Sequence, residues 1–162
     1  MPSARTTAPT SPSAEQRIAG IISKFKPEDQ KLIQAVREFI QKRFPTANEL
    51  VYDYARNFVI GYSPTAAGGE GIAALSADAD GVRLYLTNGS ILPDPHKLLQ
   101  GKAQARYMLV ASAAVLLRPE VEVLMTAAEK AAKVPLRASG RGELIMKPGA
   151  SEKRPRKKSA KR

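Results

Sequence analysis

A single histidine, His96, lies in the stretch ILPDPHKLLQGKAQAR at residues 91–106, and the chain of 162 residues contains no cysteine. Together these counts exclude a two-histidine metal site within one chain, a thiolate zinc site, a disulfide and a cysteine nucleophile. A Ser-His-Asp arrangement around His96 would need a nucleophile elbow, and the sequence has none. With no cofactor-type glycine motif and no convincing acid–base couple, no residue is assigned a catalytic role, and a non-enzymatic binding module is the expected class.

Binding chemistry is better supplied. Gly101, Lys102 and Arg106 put a flexible backbone beside two cations, which could hold a small anion, with Asp94 and His96 just upstream. The same residues also read as punctuation. Asp94 can cap a short helix begun by Pro95 and carried by His96, Leu98 and Leu99, and Gly101 can stop it in a left-handed conformation. A second set is aromatic. Tyr62, Tyr85 and Tyr107 fall on expected strands near Arg56, Arg83 and Arg106, and could line a groove for a planar or anionic molecule. The plainer alternative is a row of amphipathic residues on a half-buried sheet. Glu49 and Asp53, four apart on an expected helix, would face one way and could hold a hard cation weakly, or simply be solvated.

The densest charge is at the C-terminus, in EKRPRKKSAKR. Lys153, Arg154, Arg156, Lys157, Lys158, Lys161 and Arg162 could neutralise phosphates without reading sequence, giving weak, salt-sensitive nucleic-acid contact. The formal charge of +11 is concentrated there: residues 14–136 carry 15 Lys/Arg against 13 Asp/Glu, and residues 137–162 carry 10 against 2. Composition divides the chain accordingly. Residues 1–12 are Pro, Ser, Thr and Ala apart from Met1 and Arg5, and are expected to be disordered. Residues 13–136 form the folded body. Residues 137–162 form a basic, mostly disordered tail in which 142–147, GELIMK, could add a short strand.

The elements that would position these groups follow from periodicity. Ser13 with Gln16 is a capping box ahead of Ile18, Ile21, Ile22 and Phe25 at helical spacing. Pro27, Glu28 and Asp29 open a second helix, Leu32, Ile33, Val36, Phe39 and Ile40 stripe it, and Lys42 and Arg43 close it. Thr46 with Glu49 predicts a third, shorter helix through Leu50, Val51 and Tyr54. The period then shortens. FVIGYS (58–63), GIAALSA (71–77), GVRLYLT (81–87) and ARYMLVA (105–111) read as strands, the middle two joined by a hairpin at Asp78-Ala79-Asp80-Gly81. Pro119 opens a last helix to about Lys133. The expected fold class is α+β: a mainly antiparallel sheet of about four to five strands packed against N-terminal helices and one C-terminal helix.

The runs DYARNFVIGYSPT, GGEGIAALSADADGVRLYLTNGSILPDPHKLLQG, the strand ending MLV and the helix after RPEV resemble the YdhG-like family of bacterial domains of unknown function. The likeness covers about residues 14–134, and GELIMKPGASEKRPRKK resembles an extension in one branch. It implies a compact α+β domain of a cytoplasmic bacterial protein. Some relatives are described as frataxin-like iron chaperones, so iron is the one cofactor it suggests, with acidic side chains as the site. Here only Glu28 with Asp29 and Glu49 with Asp53 could supply them. Related sequences carry a second glycine after Gly101, where this chain has KAQAR. Expected partners are a small ligand or a protein, plus non-specific nucleic acid through the tail. No apolar run approaches the roughly 18 residues that span a membrane, and the N-terminus lacks the apolar core of a secretory signal.

Overall fold

Helix α1 (Ala14–Ile22) begins at the capping box. Ser13 Oγ accepts from the Gln16 N–H at 3.1 Å, and Gln16 Oε1 accepts from the Ser13 N–H at 2.8 Å. Two donors that a helix start leaves free are thereby satisfied. The computed structural model describes residues 13–148, so the expectations for 1–12 and for the basic residues 153–162 fall outside the described residues. Helix α2 (Pro27–Arg43) has proline at its first position, acids in its first turn and bases in its last. Its Ile33, Val36 and Ile40 are fully buried.

After α2 the structure departs from the predicted third helix. Residues Asn48–Asp53 are strand β1. The amide of Glu49 donates to the Glu143 carbonyl at 2.8 Å, and Thr46 Oγ1 donates to the Arg137 carbonyl at 2.8 Å instead of capping a helix. Leu50 and Val51 are both buried although successive strand residues point to opposite faces, so β1 is covered on both sides at this point. Long-range pairing overrides a local capping pattern.

Strands β2 (Asn57–Ser63), β3 (Ala73–Asp78), β4 (Gly81–Leu86) and β5 (Arg106–Leu109) follow, antiparallel to their neighbours. The β3–β4 turn is set by Asp78, whose Oδ1 accepts from the Asp80 N–H at 2.8 Å, and by Gly81 at φ +133°. Helix α3 (Pro119–Lys130) buries Val121, Leu124, Met125 and Ala128. Arg43 ties α2 to it, donating to Glu122 at 2.8 Å, Glu129 at 3.1 Å and Thr126 at 2.9 Å.

The apolar island within 142–147 forms β6 (Leu144–Lys147), which pairs with β1 in parallel. The sheet therefore has six strands, in the order β5-β4-β3-β2-β1-β6, one more than the upper expectation. Gly142 makes the docking possible, because a Cβ there would collide with the Ala47 carbonyl. Asn48 Oδ1 then accepts from the Glu143 N–H at 2.8 Å, and Leu144 and Met146 pack onto the core. The helices lie on one sheet face. The core cluster takes Val51, Ile60, Leu75, Leu84 and Met108 from that face, and α1 packs against β6.

The predicted helix after Pro95 is absent. Both carboxylate oxygens of Asp94 accept backbone amides, from Leu98 and Leu99 at 2.9 Å each, but Lys97 has φ 57° and breaks the helical path. The chain straightens so that Gln100 can exchange backbone hydrogen bonds with Tyr107, at 2.7 and 3.1 Å, along the outer edge of β5. Asp94 keeps its acceptor role in a turn.

Candidate functional site

Strand alternation divides the sequence-predicted site between two faces. On the helix-covered face, Tyr62 is 1 % exposed and donates its phenol to Glu49 Oε2 at 2.7 Å. Glu49 is itself buried. Its carboxylate also accepts from Arg37 Nε and Nη2, each at 2.9 Å, and from Gln41 Nε2 at 3.2 Å. Arg37 reaches on to the Glu15 carboxylate at 3.0 and 3.2 Å. Burial pushes the Glu49 carboxyl up, but hydrogen bonds from Arg37 and Tyr62, the Arg37 charge and Gln41 outweigh it, and the carboxyl titrates below its ordinary range. Burial, and then the charge of Glu49, hold the Tyr62 phenol well above its usual value.

Two expectations are corrected here. Tyr62 belongs to this buried network and not to a groove with Tyr85. Glu49 and Asp53 lie on a strand, not a helix, about 13 Å apart at four strand steps, with Glu49 buried among its donors and Asp53 exposed. They cannot share a cation, and among the described residues no group of three or more His, Asp or Glu side chains is placed to hold a metal.

The opposite sheet face contributes nothing to the main core cluster. Register lines up Tyr52, Val59, Ser76, Arg83 and Leu109 in one row, and Leu50, Gly61, Ala74, Tyr85 and Tyr107 in the next. The residues on β2 and β3 between two aromatic walls are Val59, Gly61, Ala74 and Ser76, and in these rows Leu50 and Ser76 are buried. One wall is Tyr52 stacked on Tyr54, centroids 5.9 Å apart and nearly parallel at 6°. The other is Tyr85 against Tyr107 at 5.2 Å, with the Arg83 guanidinium 5.4 Å from the Tyr107 ring centre. The lines of β1 and β4 are about 14 Å apart at three strand spacings. Arg83 Nη1 donates to Asp78 Oδ2 at 3.1 Å, which fixes the guanidinium over the ring. The β2–β3 connection folds over the β1 end, with Gly68 above the Tyr52 hydroxyl and the Ala66 carbonyl accepting from Lys147 Nζ at 3.0 Å.

Of the predicted ligand residues, the structure brings together Arg83 and Tyr85 with Tyr107. Gly101, at φ +106°, lies against the Tyr107 ring, so a Cβ would come within 3.4 Å of it. The others are elsewhere. Arg56 is exposed in the β1–β2 turn. Arg106 packs its stem over Gly89 and donates to the Ala103 carbonyl at 2.6 Å. Lys102 is exposed to solvent. Asp94 is occupied by its turn, and with His96 it lines a separate cavity of about 220 Å³ against Pro119, Val123 and Leu124 of α3. The Tyr52–Tyr54 wall is invisible to a helical reading of that segment. The alternation in VYDY is the signal that reveals it.

Among the described residues no helix is long and apolar enough to cross a membrane. No protein-family model, curated protein or solved structure matches this chain.

Proposed function

We propose that the chain is a non-enzymatic binding module that takes a planar, anionic ligand on the helix-free face of its sheet. The observation that carries this is the Arg83–Tyr107–Tyr85 cluster, with a guanidinium 5.4 Å from one ring centre and a second ring 5.2 Å away, on the sheet face that the helices leave free. A flat ring system can stack on tyrosine while the donors of Arg83 not used by Asp78 engage its anionic group. The proposal keeps the binding module expected from the sequence and favours its small-anion form. The metal form is not carried further, since Glu49 is engaged by Arg37.

The test is thermal unfolding of the protein with adenosine monophosphate as probe, because a ligand held only by the folded state raises Tm. A rising Tm that Arg83→Ala and Tyr107→Ala each abolish is the expected result. No shift at millimolar probe, or a shift indifferent to both substitutions, removes this surface as the site.

A further inference from the structure

We infer that a cavity on the helix side of the sheet is a second ligand site, one that takes a small hydroxylated anion. It is separate from the open face and does not depend on the function proposed there.

The cavity has a volume of about 340 Å³ and opens where the end of α2, the loop into β1 and the segment leading to β6 meet. That volume lies at the small end of the range for ligand pockets, about 300–1,000 Å³. Buried Phe44, Glu49 and Tyr62 form its base, and exposed Gln41, Lys42 and Arg141 stand at its rim. The protein's own hydrogen bonds brace the walls. Thr46 Oγ1 donates to the Arg137 carbonyl at 2.8 Å, the Gly142 N–H to the Pro45 carbonyl at 3.2 Å, and Arg137 Nη2 to the Arg141 carbonyl at 3.1 Å. The segment carrying Arg141 is thereby pinned beside α2 before a ligand arrives, which lowers the ordering cost of binding.

Charge selects the class of ligand. Glu49 is matched by Arg37, and its two oxygens accept four hydrogen bonds, two from Arg37, one from Gln41 and one from Tyr62. Its lone-pair sites are filled, so the carboxylate has nothing left for a cation or an ammonium group. Lys42 and Arg141 carry the remaining charge, and among the described residues neither lies within ion-pair distance of a carboxylate. The C-terminal end of α2 contributes only about half a negative charge, so the rim stays positive and favours an anionic group within reach of both side chains. Deeper in, the acceptors are neutral. The Tyr62 phenol donates its hydrogen to Glu49 and keeps lone pairs, and Gln41 donates from Nε2 to Glu49 and keeps Oε1. Neutral acceptors match the hydroxyl groups of a ligand, whereas an apolar acid would cover them without a partner.

Isothermal titration calorimetry of the full chain with gluconate, glucose 6-phosphate, sorbitol and hexanoate tests this. One or both of the hydroxylated anions are expected to bind roughly tenfold or more tighter than sorbitol, which lacks the charge, and hexanoate, which lacks the hydroxyls. The comparison of gluconate with glucose 6-phosphate tells a carboxylate from a phosphate as the anionic group. Replacing both exposed rim cations, Lys42→Ala with Arg141→Ala, is expected to weaken binding roughly tenfold or more, and Arg83→Ala to leave it unchanged. Circular dichroism shows that each variant is folded. In heteronuclear NMR the Gln41 side-chain amide and the Gly142 N–H should shift on titration. No binding of either anion at millimolar concentration overturns the inference, as does equal binding of sorbitol or hexanoate. Binding that survives loss of both rim cations, or that Arg83→Ala abolishes, does so too. If adenosine monophosphate acts through Arg83 while neither anion binds, this site falls and the sheet-face function stands. The reverse result keeps this site and removes the other.

Discussion

Glu49 and Arg37 form the pair on which the interior depends most. Their side chains are 10 % and 14 % exposed, and each is held by two partners or more. Removing one member of such a pair leaves the other charged and poorly solvated, at a cost on the order of 3–5 kcal/mol. Arg37→Met is therefore expected to lower the unfolding free energy by that order in urea titrations at pH 7. Glu49 also sets an acid limit. Its folded-state carboxyl is depressed below the unfolded value of about 4.3, so its contribution is complete above that pH and is lost as pH falls through the folded value. Urea titrations between pH 3 and 7 should show the wild type losing stability on the acid side and Glu49→Gln losing less of it, from a lower start. None of this network was legible in the sequence. Glu49 stands three residues after Thr46, which is a capping-box spacing, while its true partners Gln41, Arg37 and Tyr62 lie 8, 12 and 13 positions away and leave no periodic trace.

At the scale of elements, α1, α2, α3 and the β3–β4 hairpin were legible because each is written in local chemistry: a cap, a terminal proline, an alternating run, a turn aspartate. Strand β1 was not, because it is decided by pairing with remote backbone, and the 94–99 turn was not, because the same aspartate that could cap a helix closes a turn there instead. The six-residue run NELVYD alternates only loosely, since Leu50 and Val51 are covered from opposite sides. Of the candidate site, Arg83, Tyr85 and Tyr107 were legible as one surface because two strands with clear alternation carry them. Tyr62 was misplaced because residue type alone does not show which face a strand buries. Two changes test the docking of β6. Gly142→Ala forces a Cβ into the Ala47 carbonyl and is expected to cost roughly 1–3 kcal/mol or more by shifting the strand. Truncation after Leu136 strips Leu144 and Met146 from the core and should cost on the order of 2–4 kcal/mol, whereas truncation after Pro148 removes no strand and should leave the urea midpoint unchanged.

For the molecule as a whole, the sheet order predicts a gradient of local stability. Strands β2 and β3 have neighbours on both sides and sit over the helices, while β5 and β6 are outermost. Hydrogen exchange followed by mass spectrometry should find the slowest amides in β2 and β3 and faster exchange in β5 and β6. Protection of β6 equal to that of β3 would show that the sheet opens only as a unit.

The parallel seating of β6 also orders events in time. Its bond from Glu143 to Asn48 closes over 95 residues, and such distant closures come late when a chain is made from its N-terminus. Until then the newborn sheet carries the naked margin of β1, a template for strands of other molecules. The last of the described strands to be synthesised would thus be the one that covers that margin.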